Sequence, residues 1–71
     1  MRPMDICALV GENIRRQRQE RGWSQEELAF RAKMDRPYLS QVENGRKNIS
    51  LLMLQEIATA LKVQITELLE D

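Results

Sequence analysis

The sequence predicts an all-α fold, and three observations support that class. The chain has 71 residues, its apolar residues recur at three- and four-residue spacings, and no stretch alternates polar and apolar residues as a strand does. Helix-start and helix-stop signals divide the chain into five short segments. We therefore predict a single compact domain of five helices over residues 1–71.

The first predicted helix covers about residues 5–20. The pair "RG" ends it, because Gly22 readily adopts the left-handed conformation that terminates helices. Four apolar residues would form its inner side: Ile6, Leu9, Val10 and Ile14. Trp23, which follows the stop signal, is predicted to anchor the core.

The second and third helices are predicted at residues 24–32 and 35–44. "SQEE" is a capping box, in which Ser24 caps the helix and Glu27 reaches back to the cap. Asp35 is a good N-cap for the third helix, and "NG" at 44–45 ends it. Two short helices joined by a tight turn make a helix-turn-helix at about residues 24–44.

The fourth and fifth helices complete the predicted domain. Ser50 would cap a helix over residues 51–61, and "VQITELLED" gives a short final helix. The inner face of the fourth helix would carry four apolar residues: Leu54, Ile57, Ala58 and Leu61.

Composition argues against several classes of function. The chain has no histidine and one cysteine, so we expect no metal site, no internal disulfide and no cofactor. An enzyme is not expected, because no general acid–base pair or phosphate-binding glycine loop stands out. No apolar run is long enough to span a bilayer. We expect a cytoplasmic protein that binds neither membranes nor small molecules.

The charges are unevenly distributed although the formal net charge is zero. Residues 13–49 carry nine Lys/Arg against five Asp/Glu, a net charge of +4. The other residues carry two Lys/Arg against six Asp/Glu, a net charge of −4. A local basic face matters more for a polyanionic partner than the total charge does.

The third helix has a polar outer face that suits base recognition. At 100° per residue, Leu39 and Val42 lie on the inner side. The outer side is polar, begins with an arginine and carries Arg36, Pro37, Ser40, Gln41 and Asn44. The DNA major groove admits an α-helix, where arginine suits guanine and glutamine suits adenine. An ordinary solvated helix face remains the alternative on this pattern alone.

The motifs "SQEELA", "YLSQVENG" and "LQEIATAL" resemble the lambda-repressor-like (Cro-type, XRE) helix-turn-helix family over about residues 8–69. That resemblance implies a sequence-specific regulator of transcription that binds double-stranded DNA as a homodimer. The longer string "DRPYLSQVENGRKNISL" is also similar to the small controller proteins of restriction–modification systems. A phage-type repressor and an antitoxin-like protein–protein interaction module stay open as alternatives.

The resemblance also assigns roles to individual residues. The expected base-reading residues are Arg36, Pro37, Tyr38, Ser40 and Gln41. The expected phosphate contacts are Arg15, Ser24, Gln25, Asn44, Arg46, Lys47 and Asn48. In the family, an arginine of the first helix pairs with an acid of the third, and Arg18 and Glu43 match those positions. Tyr38 lies on the flank of the core, so packing is as consistent with its position as DNA contact.

Two departures from the family pattern are informative. Lys62 replaces the usual glycine after the fourth helix, so that turn is expected to differ. Leu52 falls on the outer side of the fourth helix, where the family is usually polar, and clustered exposed apolar groups often mark association. We therefore predict a dimer interface that includes Ile49, Leu52, Leu68 and Leu69. A single exposed leucine without a partner is the alternative.

Overall fold

The computed structural model describes residues 5–71, which form five α-helices and no strand. The helices are α1 (Ile6–Glu20), α2 (Gln25–Arg31), α3 (Arg36–Glu43), α4 (Leu51–Leu61) and α5 (Ile65–Leu68). The predicted all-α class and the order of the five helices are therefore confirmed. In this described part, no helix is long and apolar enough to cross a membrane.

Side-chain caps begin four of the helices. The side-chain oxygens of Asp5, Ser24, Asp35 and Ser50 each accept from the backbone N–H three residues later, at 2.8–3.2 Å. The capping box predicted at α2 forms only in part, because the Glu27 carboxylate accepts instead from Nε of Arg31 at 2.6 Å. The reciprocal bond occurs at α5, where the Gln64 N–H donates to Glu67 at 2.7 Å.

The first four helices end in the same hydrogen-bonded turn. In each, one residue has a left-handed backbone, and its N–H and the next N–H donate to carbonyls of the last helical turn. Glycine holds this position after α1 and α3, with φ of 69° at Gly22 and 72° at Gly45. Lysine holds it after α2 and α4, with φ of 61° at Lys33 and 60° at Lys62. The turn after α4 therefore keeps the usual geometry, contrary to our expectation from the missing glycine.

All five helices contribute buried apolar side chains to one core. Its largest fully buried members are Ile14, Leu28, Leu39, Ile57, Leu61, Leu68 and Val42. The predicted inner side of α1 is only partly correct, since Ile6 is half exposed and Leu9 is half-buried. Trp23 is also half-buried and packs against the edge of the core, where the Arg31 guanidinium lies 4.2 Å from its ring centre.

The helix α3 lies in close contact with α1. A Cβ at Gly11 would overlap the carbonyl oxygen of Val42 and would lie 2.9 Å from that of Glu43. A Cβ at Gly45 would lie 2.9 Å from Cα of Ala8. These two close approaches fix how far α3 stands from α1, and so fix the position of its outer face.

Candidate nucleic-acid interface

The helices α2 and α3 form the predicted helix-turn-helix, with α3 presenting a polar face to solvent. Leu39 and Val42 are buried, which fixes the rotation of α3 about its axis. Of the candidate base-reading residues, Arg36, Pro37 and Gln41 are exposed, and Tyr38 and Ser40 are half-buried. This face is about two turns long and has no acidic side chain at its centre, so it suits a negatively charged groove.

The structure brings Arg18 and Glu43 together in a two-pronged ion pair. Nε of Arg18 donates to Oε2 of Glu43 at 2.7 Å, and Nη2 donates to Oε1 at 3.0 Å. The Glu43 side chain is fully buried. The Arg18 guanidinium also donates to the Trp23 carbonyl at 2.8 Å, so it joins α1, the start of the helix-turn-helix and the end of α3.

Two candidate phosphate contacts, Arg15 and Asn44, bind each other in this structure. Nη2 of Arg15 donates to Oδ1 of Asn44 at 2.8 Å and to the backbone carbonyl of Glu43 at 3.2 Å. The Arg15 guanidinium at the Glu43 carbonyl also complements the negative end of the α3 helix dipole. Because Arg15 occupies the amide oxygen of Asn44, the amide nitrogen is the Asn44 group that would meet an anion.

The side chain of Gln25, at the first residue of α2, makes two contacts. Its Nε2 donates to Oε1 of Glu43 at 3.1 Å, and its Oε1 accepts from Nη1 of Arg36 at 3.3 Å. The glutamine thus links the buried ion pair to the arginine at the start of α3. Ser24, which caps α2, is exposed beside it.

The segment after α3 carries the remaining candidate phosphate contacts. The Arg46 N–H donates to the Gln41 carbonyl at 2.9 Å, so the turn at Gly45 fixes where this segment leaves the helix. Arg46 and Asn48 are exposed, and the Lys47 ammonium lies 5.4 Å from the ring centre of Tyr38. The Tyr38 ring packs against the core and also supports Lys47, so its geometry agrees with the packing alternative.

An apolar surface adjoins the segment after α3, and the candidate phosphate contacts Lys47 and Asn48 help to line its groove. Leu51 and Leu52 at the start of α4 are 77% and 81% exposed. Beside them is a half-open groove of about 140 Å³, whose apolar lining includes Ile6, Ile49, Leu51 and Leu69. We call this the α4 apolar surface: Ile6, Ile49, Leu51, Leu52 and Leu69.

One residue of the predicted dimer interface must be withdrawn. Leu68 is fully buried in the core of its own chain, so it has no surface to offer a partner in this fold. Its neighbour Leu69 is 39% exposed and lines the groove. Successive residues of a helix point about 100° apart, so Leu68 at the end of α5 and Leu69 at its C-cap face different sides. The sequence pattern did not distinguish which of the two leucines would be buried.

Sequence reasoning missed Asn13. This residue is buried, and its Nδ2 donates to the carbonyls of Leu68 at 2.9 Å and Glu70 at 2.7 Å. It therefore ties α1 to the end of the described chain. The sequence did carry a signal, because Asn13 falls beside Ile14 on the inner side of α1. A buried polar group without a hydrogen-bond partner is costly, so a polar residue at this position indicates a specific contact.

The comparisons with known proteins agree with this geometry. A helix-turn-helix family model (HTH_3) matches residues 14–68. The chain is 45% identical over 65 residues to an uncharacterised HTH-type transcriptional regulator, y4dJ of Sinorhizobium fredii, covering 92% of this chain and 84% of that protein. It is 37% identical over 68 residues to the control protein C.MunI of a Mycoplasma species, covering 94% of this chain and 92% of that protein.

A solved structure shows the same arrangement of helices. The restriction–modification controller protein C.AhdI from Aeromonas hydrophila superposes with a TM-score of 0.85 at 40% identity. The superposition covers 87% of this chain and 94% of that one. The agreement extends over the helix-turn-helix and the helices that support it.

Proposed function

The chain belongs to the helix-turn-helix family of DNA-binding transcriptional regulators, and we propose that it binds a pseudo-palindromic operator as a two-fold dimer. The observation that carries the proposal is the exposed polar face of α3. The Arg18–Glu43 pair holds this helix against α1. Such a face fits the major groove of double-stranded DNA.

We assign base reading to α3, the proposed recognition helix. Arg36 lies exposed at its N-terminus, the end of a recognition helix that contacts base edges. Its guanidinium suits O6 and N7 of guanine, and the exposed amide of Gln41 suits adenine. Pro37, Tyr38 and Ser40 flank these two side chains, where they would make apolar or single hydrogen-bond contacts.

Phosphate contacts would come from both sides of the recognition helix. Ser24 and Gln25 lie at the start of α2, and the segment after α3 supplies Asn44, Arg46, Lys47 and Asn48. Such contacts carry no sequence information but fix the register of the protein on the duplex. Arg15, which donates to Asn44, would join them.

We propose that the α4 apolar surface forms the dimer interface. Leu51 and Leu52 are among the most exposed large apolar residues of the described chain, and the groove beside them has a mainly apolar lining. In a two-fold dimer, the half-site centres would lie about 10–10.5 bp apart, or a multiple of that. Control of a restriction–modification system is the specific role we favour, by analogy with C.MunI and C.AhdI.

Binding selection from random duplex DNA tests this proposal. We expect an inverted repeat to be enriched, and the enrichment to be lost with Arg36→Ala. A dimer that contacts about eight phosphates should then show a slope near −7 when log affinity is plotted against log salt concentration. A pool that stays random, with only weak salt-dependent binding, would contradict sequence-specific recognition. The α4 apolar surface would then be examined as a docking site for another protein.

A further inference from the structure

We propose that Asn13 is a positioning residue for dimer formation, because it holds the end of the described chain and so fixes Leu69 at the edge of the groove beside α4. The inference rests on the proposed function, in which the α4 apolar surface joins two copies of the chain. Asn13 is 2% exposed, so it acts on this surface from inside its own subunit.

Asn13 uses both hydrogens of its amide on the last part of the described chain. Its Nδ2 donates to the carbonyl of Leu68 at 2.9 Å and to the carbonyl of Glu70 at 2.7 Å. Carbonyls only accept, so the amide nitrogen, and not the amide oxygen, must face them. Two bonds from one planar group fix both the place and the direction of this stretch of backbone.

Leu69 lies between the two carbonyls that Asn13 holds. Its side chain is 39% exposed and lines the groove together with Ile49 and Leu51. Because the carbonyls of the residues before and after it are both held, the Leu69 backbone has little freedom to carry this side chain away from the groove. Asn13 therefore determines the shape of one edge of the α4 apolar surface.

The helix α5 cannot supply this order by itself. It is four residues long, and so short a helix is not stable alone in water. The Leu68 carbonyl belongs to its last turn, where carbonyls have no partner within the helix. Asn13 provides the missing donor from α1, which is 15 residues long. The longer helix thus supports the shorter one at the residue next to Leu69.

Order at Leu69 before association favours the dimer. A residue that is free beforehand loses backbone and rotamer freedom when an interface forms, and ordering it in advance removes that cost. A two-fold dimer uses the same surface on both subunits, so a loss of order at Leu69 counts twice. A buried residue of α1 can therefore affect the dimer without contacting the partner.

Sedimentation equilibrium on the full 71-residue chain tests the inference. Asn13→Ala removes both bonds to the end of the chain, and Leu69→Ala removes the side chain that Asn13 would position. The dissociation constant of the dimer is measured for the parent, the two single variants and the double variant.

Arg21→Met is the matched control. Nη2 of Arg21 donates to the carbonyl of Leu61 at 2.7 Å, so this residue also joins the α1 region to a backbone carbonyl at the end of a later helix. Arg21 does not line the groove. The variant therefore reports what the loss of a comparable contact between helices does to the dimer through stability alone.

We expect Asn13→Ala to raise the dissociation constant of the dimer about tenfold, the loss expected when one side chain in each subunit must be ordered on binding. Arg21→Met should leave this constant unchanged. Beside Leu69→Ala, Asn13→Ala should add little, because the side chain that it positions is gone. Fully additive losses, or an equal loss in Arg21→Met, would overturn the positioning role.

A measurement on the monomer separates the order of Leu69 from the dimer itself. Leu52→Glu provides a monomeric background, in which the backbone amide of Leu69 is followed by NMR relaxation with and without Asn13→Ala. We expect this amide to become more mobile in Asn13→Ala while the backbone of α1 stays ordered. If Asn13→Ala does not fold, Asn13→Ser, which keeps one hydrogen-bond donor, is measured in the same way.

The two measurements distinguish failure of the inference from failure of the proposed dimer. Unchanged mobility of Leu69 would overturn the role of Asn13 and leave the dimer in place. A parent chain that stays monomeric at every concentration would overturn the proposed dimer, and the inference with it.

Discussion

The guanidinium of Arg18 holds the buried carboxylate of Glu43 through two hydrogen bonds, 2.7 and 3.0 Å long, that join α1 to the last turn of the recognition helix. The carboxylate is fully buried, whereas the arginine side chain is 12% exposed. A buried charge costs a great deal unless it is paired and hydrogen-bonded. The position of the outer face of α3, the proposed DNA-binding face, therefore depends on this pair.

Removing the arginine should leave Glu43 insufficiently compensated. We expect Arg18→Met to lower the free energy of unfolding by about 3 kcal/mol, the lower end for a broken buried pair, because Arg15 and Gln25 still contact Glu43. Urea denaturation followed by circular dichroism measures the change. The control is the double variant Arg18→Met with Glu43→Gln, which should recover part of the loss. A cost below about 1 kcal/mol for Arg18→Met would show that the pair contributes little.

Gly11 tests how closely α1 and α3 are packed. We expect Gly11→Ala to cost more than about 2 kcal/mol, because the new methyl group would overlap the backbone carbonyls of Val42 and Glu43. Gly22→Ala is the matched control: φ of Gly22 is 69°, and no heavy atom outside this residue and its two chain neighbours lies within 4 Å of the added carbon. Gly22→Ala should cost about 1 kcal/mol, because alanine is strained in the left-handed conformation that Gly22 adopts. Equal costs for the two variants in thermal unfolding would contradict the close packing.

The left-handed lysine after α4 offers a stabilising change. Lys62 has φ of 60°, a conformation that glycine adopts without the Cβ clash. We expect Lys62→Gly to raise the free energy of unfolding by about 0.5–1 kcal/mol. Lys62→Ala keeps the Cβ and should leave stability nearly unchanged. If alanine stabilises as much as glycine, the backbone conformation is not the cause.

Arg36 and Lys47 should behave differently toward altered operators. Arg36→Ala is expected to cost about 1–3 kcal/mol of binding free energy and to relax preference at one base position. Lys47→Ala should weaken binding to all sequences alike and reduce the salt slope by about one. Titration of both variants on the base-substituted duplexes makes the comparison. Identical profiles would contradict a division between base reading and phosphate contact.

The proposed dimer can be tested at two equally exposed apolar residues. Leu52 on α4 is 81% exposed and Phe30 on α2 is 82% exposed. We expect Leu52→Glu to shift the protein toward monomer in sedimentation equilibrium, because a charge would enter the interface. Phe30 lies outside the α4 apolar surface, so Phe30→Glu should leave the dimer intact. The interface is misplaced if Phe30→Glu dissociates the dimer and Leu52→Glu does not.

The helices could be predicted from the sequence because their signals are local. Ser24, Asp35 and Ser50 each cap a backbone N–H three residues away, and Gly22 and Gly45 end helices by their own conformation. Such short-range geometry is encoded in neighbouring residues. The rotation of α3 followed in the same way from the spacing of its apolar residues.

Contacts between helices could not be predicted in this way. Asn13 meets a carbonyl 55 residues away, and Gln25 meets Glu43 across 18 residues. The burial of Leu68 beside an exposed Leu69 likewise depends on how α5 packs, since both are leucines. Arg18 and Glu43 were expected as partners only through the family resemblance. Apart from Asn13, whose amide falls on the inner side of α1, no periodicity in the sequence distinguishes these residues from ordinary members of a polar or apolar face.

We expect the uneven distribution of charge along the sequence to give this electrically neutral chain a dipole moment. Residues 13–49, with the recognition helix and the segment after it, carry a net charge of +4, and the rest of the chain carries −4. In the field of a DNA duplex, such a molecule experiences a torque that turns its basic side toward the phosphates before contact. The encounter rate should therefore fall as salt screens the field, although the chain as a whole carries no net charge.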